Sequence, residues 1–446
     1  MAVAGNSSWN ILIWLRALGK FTRLVPKANP QSGTQASVPN RAWDHIPGNE
    51  AVPGEQDSVQ AELTLYRDPL LRRGSSAETD VARSNYIESN DRICYEPNRQ
   101  SLDGETHDYL IFFITGNPGL IRYYQPFLSR LHCLLDTDSN PTSRSFQICG
   151  YRFRGMEYAN DESRDQTQEK FAVESPTSPV SLGEQIDYQE NKLYEEVDLY
   201  REQHGKSPKV ILMGHSVGSY MLLEIIKRHR DRIHSGARDF DLIGGILLFP
   251  TITDIAQSPL GVVASKILEI PRLPTIMGFL AKALSRTLPA SLFYELVKRV
   301  TGFSEHAART TANFIKSPMG VQQVLHLARD EMHCITEDKW DEEVWGAATA
   351  EGTDHRDTAN WNLTLYWGQK DKWVANTTRD RLIRARGHRS PIQTGSGTQD
   401  RKPVMEIDNE GIPHDFCTTI RNSETIANKA KSWVDGIIES HRTAIS

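Results

Sequence analysis

Apolar residues fall in short runs of strand length, separated by longer stretches of helical spacing, and this alternation organises the chain from about residue 92 onward. The run Tyr109-Leu-Ile-Phe-Phe-Ile-Thr115 is apolar at successive positions, which suits a parallel strand covered by helices on both faces. Further strands are expected at Arg92–Tyr95, Phe146–Tyr151, Lys209–Met213, Leu242–Phe249, Leu363–Trp367 and Val404–Ile407, with a β-like stretch at Ala61–Tyr66. Helices are expected at Gln125–Leu135, Leu182–Glu196, Tyr220–Arg230 and Ser423–Ile438. Strands that alternate with helices make a mostly parallel, doubly wound α/β sheet the economical architecture.

Residues 259–345 break that rhythm. They hold apolar helix-like segments (Val262–Ile270, Ile276–Leu288 and Leu292–Val300) punctuated by prolines, and read as a helical cap inserted into the sheet domain. The expected organisation is an extension over 1–60, core over 61–258, cap over 259–345 and the rest of the core over 346–440. Polar residues 158–180 read as a surface insertion, and 386–402 as a flexible loop.

In the extension, Arg16, Lys20, Arg23 and Lys27 recur at helical spacing, while Trp9, Ile11, Leu15, Leu18, Phe21 and Val25 occupy most of the remaining surface. A basic amphipathic helix over 9–27 suits an anionic or lipid surface. The same pattern also fits a mitochondrial transit peptide or a frayed tail. Residues 28–60 have the composition of a disordered linker.

Composition narrows the function classes. With 51 basic against 57 acidic side chains the net charge is −6, so the whole chain carries no nucleic-acid signature. No run approaches the ~18 apolar residues of a membrane span, so membrane contact is expected to be peripheral. Five scattered cysteines (Cys94, Cys133, Cys149, Cys334 and Cys417) argue against a disulfide framework and a structural zinc site, and favour a reducing compartment. The sequons at Asn6, Asn362 and Asn376 then read as chance matches.

The chemistry centres on Gly214-His215-Ser216-Val217-Gly218, which follows a predicted strand and precedes a predicted helix. Glycines at 214 and 218 relieve crowding in so tight a turn and let Ser216 project from the carboxyl edge of the sheet. A serine hydroxyl needs a base to take its proton, and in such folds the acid and histidine follow it in order. Asp371 comes after strand Leu363–Trp367, and His414 after strand Val404–Ile407. Asp254 and Asp415 compete for the acid's place. Asp254 follows Leu242–Phe249, whereas Asp415 adjoins His414, and the side chains of sequence neighbours diverge. His388 lies in the 386–402 loop and His441 close to the tail. Backbone N–H groups of Val217 and Asn117 are the expected oxyanion donors, each commonly worth ~3 kcal/mol; Pro118 has no N–H to offer. This chemistry calls for no metal and no cofactor.

Several motifs in order resemble one family. Gly116-Asn-Pro-Gly119 with Tyr124 and Pro126-Phe127, Leu182-x-x-Gln185-Ile186, and Gly214-His-Ser-Val-Gly-Ser-Tyr220 look like lipid droplet-associated hydrolases. So do Leu248-Phe-Pro-Thr-Ile252 with Ser258-Pro259 and Gly261, Tyr366-Trp-Gly368 with Asp371 and Trp373, and Ile412-Pro-His414 with Phe416. The resemblance runs from roughly 108 to 435. It implies an α/β-hydrolase domain with a helical cap and a triad at Ser216, Asp371 and His414. It also implies residence at lipid droplets or the endoplasmic reticulum, on the cytosolic face, and sterol-ester or acylglycerol-like substrates. Two departures stand out: Asp415 replaces a small or apolar residue, and the acid-to-histidine spacing grows to 43 residues.

Three function classes remain. The first is an ester hydrolase acting on apolar lipids, and the second a low-activity droplet-surface or adaptor protein retaining the fold. The third, lyases and dehalogenases, fits less well because dehalogenases usually carry aspartate where this chain has Ser216. Oligomeric state is not legible.

Overall fold

A computed structural model describes residues 86–88, 91–97, 107–138, 144–157, 176–237, 239–346, 361–387 and 402–445. The expected helix over 9–27, the linker, the Ala61–Tyr66 stretch, His388 and most of the 158–180 and 386–402 segments lie outside these residues.

Among the described residues eight strands form one sheet: β1 (Tyr86–Glu88), β2 (Arg92–Tyr95), β3 (His107–Ile114), β4 (Arg144–Tyr151), β5 (Lys209–His215), β6 (Asp241–Leu248), β7 (Asn362–Trp367) and β8 (Val404–Ile407). Their order is β1-β2-β4-β3-β5-β6-β7-β8. Pairing is antiparallel for β1–β2 and β2–β4 and parallel from β4 through β8. This is the α/β-hydrolase fold expected from the strand–helix rhythm. In β3 every residue after His107 is buried, as its unbroken apolar run requires.

Helices cover both faces. They are α1 (Gln125–Asp138), α2 (Leu182–His204), α3 (Val217–His234), α9 (Asn376–Arg386) and α10 (Ile420–Ile445), with α4–α8 inserted between β6 and β7. The adjacent Gly244 and Gly245 in β6 show the two layers directly. A Cβ on Gly244 would lie 2.5 Å from Ile437 of α10, whereas one on Gly245 would meet Leu222 and Ile226 of α3. Successive strand residues face opposite ways, so α10 and α3 lie on opposite faces, close enough to exclude a side chain on the α10 side. Helix α2 runs past the expected Glu196 to His204. A Ser181–Glu184 capping box starts it and Gly205, with φ 69°, ends it. Val197 and Tyr200 carry its buried face on past Glu196, and only the last turn, residues 201–204, is wholly polar.

The inserted helices are α4 (Gly261–Leu268), α5 (Leu273–Thr287), α6 (Ala290–Thr301), α7 (Glu305–Ile315) and α8 (Gly320–Cys334). Helix α8 is pinned to the core. Gln323 bonds both backbone groups of Val180 at 2.6 and 2.7 Å, and Asp330 accepts from the Leu182 N–H at 3.0 Å.

One expectation is corrected. Cys94 and Cys149 form a disulfide, since antiparallel pairing of β2 with β4 sets them directly opposite. Their 55-residue separation hides that neighbourhood in the sequence.

Candidate active site

The carboxyl ends of the parallel strands converge on one cavity. After β5 the chain turns sharply into α3, with Ser216 at φ 54°, a conformation a non-glycine residue holds only when its surroundings enforce it. The flanking glycines are required by close backbone approach. A Cβ on Gly214 would lie 2.5 Å from the Gly218 carbonyl oxygen, and one on Gly218 only 2.4 Å from that of Ile114. Ser216 thus stands at the N-terminus of α3, where unpaired N–H groups and the helix dipole favour negative charge.

After β7, the turn through Gly368 brings Asp371 inward. The Trp373 N–H donates to Asp371 Oδ1 at 2.8 Å, and Arg379 binds the carbonyls of Gly368 and Gln369 at 3.1 and 3.3 Å. After β8, Asp408 organises the next loop. It accepts from Tyr366 Oη at 2.6 Å and from the N–H groups of Glu410 and Ile412 at 3.2 and 2.8 Å, which delivers His414. His414 Nε2 lies 2.9 Å from Ser216 Oγ, and its Nδ1 lies 2.7 Å from Asp371 Oδ2. Burial pulls the imidazole pKa down, but the charge and hydrogen bond of Asp371 outweigh it, leaving His414 above the ordinary value.

The competing acids are placed elsewhere or otherwise engaged. Asp254 binds Arg381 and accepts from Gln257 Nε2 at 2.8 Å. Asp415 lines the cavity, yet His414 turns to Asp371. His441 pairs with Asp241 at 3.7 Å, away from the cavity.

The turn after β3 closes by a 2.6 Å bond from the Gly119 N–H to Gly116 O and contains a cis Asn117–Pro118 peptide. It presses against the turn that carries Ser216: a Cβ on Gly116 would lie 3.0 Å from Ser216 Cβ. Asn117 and Ser216 line the same cavity, and Val217 follows Ser216 as the first residue of α3.

His215 does more than fill the turn. Its Nε2 lies 2.9 Å from the His414 carbonyl, which can only accept, so Nε2 carries the proton and Nδ1 accepts from Tyr124 Oη at 2.7 Å. Tyr124 Oη in turn accepts the Gly116 N–H at 3.0 Å. Burial, helped by nearby His414, holds the His215 pKa well below the ordinary value, so this chain of bonds keeps one polarity. It ties the turn after β3 to the Ser216 turn and the His414 loop. Sequence reasoning identified His215 only as a turn residue and missed Asp408, Arg379 and Glu331, a cavity-lining side chain from α8.

Among the described residues, one group of metal-ligand type falls together: Cys94, Cys149 and Glu196. Its sulfurs are bonded to each other and Arg92 pairs with the carboxylate at 2.5 Å, so its donors are already engaged.

The sequence pattern of the Lipid-droplet associated hydrolase family matches residues 107–417. The lipid droplet-associated hydrolase of Gallus gallus is 26% identical over 274 residues, covering 61% of this chain and 73% of its own. That of Drosophila melanogaster is 24% identical over 343 residues, covering 76% and 91%. Among solved structures, the chain is similar to a soluble variant of monoglyceride lipase from Saccharomyces cerevisiae. That likeness has a TM-score of 0.41 at 13% identity and covers 81% of this chain and 98% of that one. The matched span takes in every strand from β3 to β8 together with Ser216, Asp371 and His414, and the chain belongs to the Lipid-droplet associated hydrolase family.

Proposed function

We propose that the protein is a serine hydrolase that cleaves carboxylic esters of apolar lipids, sterol-ester or acylglycerol-like, through an acyl-enzyme. The observation that carries this reading is the continuous line from Asp371 through His414 to Ser216 Oγ, at 2.7 and 2.9 Å. Ser216 Oγ attacks the ester carbonyl carbon while His414 Nε2 takes its proton. The oxyanion receives the N–H groups of Val217 and Asn117. The intermediate then expels the alcohol, which takes the proton from His414. Water, deprotonated by the same imidazole, attacks the acyl-enzyme and releases the fatty acid and Ser216. Asp371 holds His414 in the tautomer with the proton on Nδ1 and stabilises the imidazolium. No metal or cofactor enters these steps.

The working place in this reading is the lipid droplet and endoplasmic reticulum surface, on the cytosolic face. The names of the relatives support the droplet, and the inserted helices, acting as a cap, support a lipid surface. Ile276, Phe279 and Leu280 on α5 are 50%, 71% and 45% exposed, and Leu292 on α6 is 54% exposed. Around them, residues 261–301 carry six basic side chains (Lys266, Arg272, Lys282, Arg286, Lys298 and Arg299) against two acidic ones (Glu269 and Glu295). Exposed apolar side chains on helices with a net positive charge suit an anionic phospholipid monolayer. Among the described residues no helix is long and apolar enough to cross a membrane.

The test is turnover of cholesteryl oleate and triolein emulsions by wild type and Ser216→Ala. Wild-type hydrolysis that falls by about 10³-fold or more in the variant is expected; equal turnover in both would remove Ser216 from the chemistry.

A further inference from the structure

One ionisable side chain outside the hydrolytic trio reaches the cavity from the inserted helices. Glu331 on α8 is 5% exposed and lines the cavity with Ser216, His414 and Asn117. Its Oε1 accepts a 2.7 Å hydrogen bond from Asn117 Nδ2, and the Val324 carbonyl, two turns earlier on the same helix, takes that amide at 3.2 Å. Helix α8 therefore grips the side chain of the residue whose backbone N–H faces the oxyanion in the mechanism above. Among the described residues the carboxyl makes that one hydrogen bond.

A carboxylate so enclosed, with a single donor, is expensive to ionise. Burial pushes the Glu331 pKa up to about 8. The Asn117 bond and the charge of His414 work against that rise, and Asp330 on the same helix adds to it. At neutral pH the side chain is thus a neutral acid, which leaves Asn117 held and adds no negative charge to the pocket.

We propose that Glu331 is a positioning residue for the oxyanion hole: as a neutral acid it fixes Asn117 from the cap, and its ionisation shuts the site down. A carboxylate beside the donor residue opposes the negative charge that builds on the tetrahedral intermediate. It also strengthens the hold on the imidazolium of His414, so the proton returns less readily to the leaving alcohol. The proposal rests on the esterase reading.

The other groups around Glu331 are His414, Asp415 and Cys417 from the histidine loop, His215 and Ser216 from the nucleophile turn, and Tyr123 and Tyr124 from the segment after β3. Burial drives Tyr124 and Cys417 upward and His215 downward, away from neutrality. In the proposal His414 sets the acidic limb of activity and Glu331 the alkaline limb.

The experiment is the pH dependence of kcat and kcat/KM on p-nitrophenyl butyrate, from about pH 5 to about pH 10, for wild type, Glu331→Gln and Glu331→Ala. Thermal melts of each verify folding. The wild-type profile is expected to fall at its alkaline side near pH 8. Glu331→Gln keeps an acceptor for Asn117 but cannot ionise, so its profile, scaled to its own maximum, lacks that limb. Glu331→Ala releases Asn117 and lowers kcat by about tenfold or more, with a smaller change in KM. A merely structural role would lower activity evenly across pH. An alkaline limb unchanged in Glu331→Gln, or a wild-type kcat in Glu331→Ala, would overturn the proposal; if Glu331→Ala unfolds, the Glu331→Gln profile decides. Turnover retained by Ser216→Ala would instead sink the esterase reading.

Discussion

In the proposed reading His414 works as a base only when neutral, and its neighbours decide where that holds. Asp371 lifts its pKa above 6.5 against the pull of burial. Catalysis is therefore expected to be lost as pH falls through a midpoint above 6.5, when the imidazole takes a proton before Ser216 can offer one. In Asp371→Asn the main lifting charge is gone and only the weaker pull of Asp415 and Glu331 is left against burial, so the kcat/KM midpoint should move to lower pH. The same change frees the ring to adopt the wrong tautomer, and kcat should fall by roughly 10⁴-fold. A variant with the wild-type rate and midpoint would remove Asp371 from the acid's place. The meeting of Ser216, Asp371 and His414 could be expected from the sequence because each follows a strand, in an order that limits the choices. Glu331 could not. It meets Asn117 across 214 residues, and Asp330-Glu331 on an amphipathic helix looks like an ordinary solvated face. The proton polarity of His215 was equally hidden, since Tyr124 and the His414 carbonyl fix it from two other loops.

Helices α5 and α6 are apolar on more than one face. Met277 and Ala281 of α5 and Phe293 and Val297 of α6 are buried, while Ile276, Phe279, Leu280, Leu292 and Leu296 remain outside. A helix that packs on one face and leaves a second apolar face open has a use for it or a liability in it. Phe279→Asp with Leu292→Asp should weaken flotation with vesicles containing phosphatidylserine by about tenfold or more, because each replaces apolar area by charge. The melting temperature should barely move, since both positions are exposed. Undiminished flotation would leave that face without a lipid role. Apolar density over 259–345 made the helical block legible, because such segments are too long for strands. Which face points inward was not, since apolar residues on two neighbouring faces of α5 and α6 leave the periodicity without a single inward side.

Across the whole molecule, four strand ends from one mostly parallel sheet, those of β3, β5, β7 and β8, bring the proposed reacting groups to one edge. That arrangement follows from topology: parallel strands point their carboxyl ends the same way, and the loops there can meet. The strand rhythm displayed it best at β3 and β5, whose buried runs are apolar almost without interruption, and least at the exposed edge strand β8. The disulfide was invisible for the opposite reason. Cys94 and Cys149 become neighbours only once β2 turns antiparallel beside β4, a pairing that no local pattern announces. The central claim is that this edge activates Ser216. The most direct measurement is labelling of the folded protein by a fluorophosphonate probe, with wild type beside Ser216→Ala and His414→Ala. The account predicts rapid wild-type labelling, none in Ser216→Ala, and labelling slowed by about 10³-fold or more in His414→Ala. Equal labelling of wild type and Ser216→Ala, or no labelling of well-folded wild type, would contradict it.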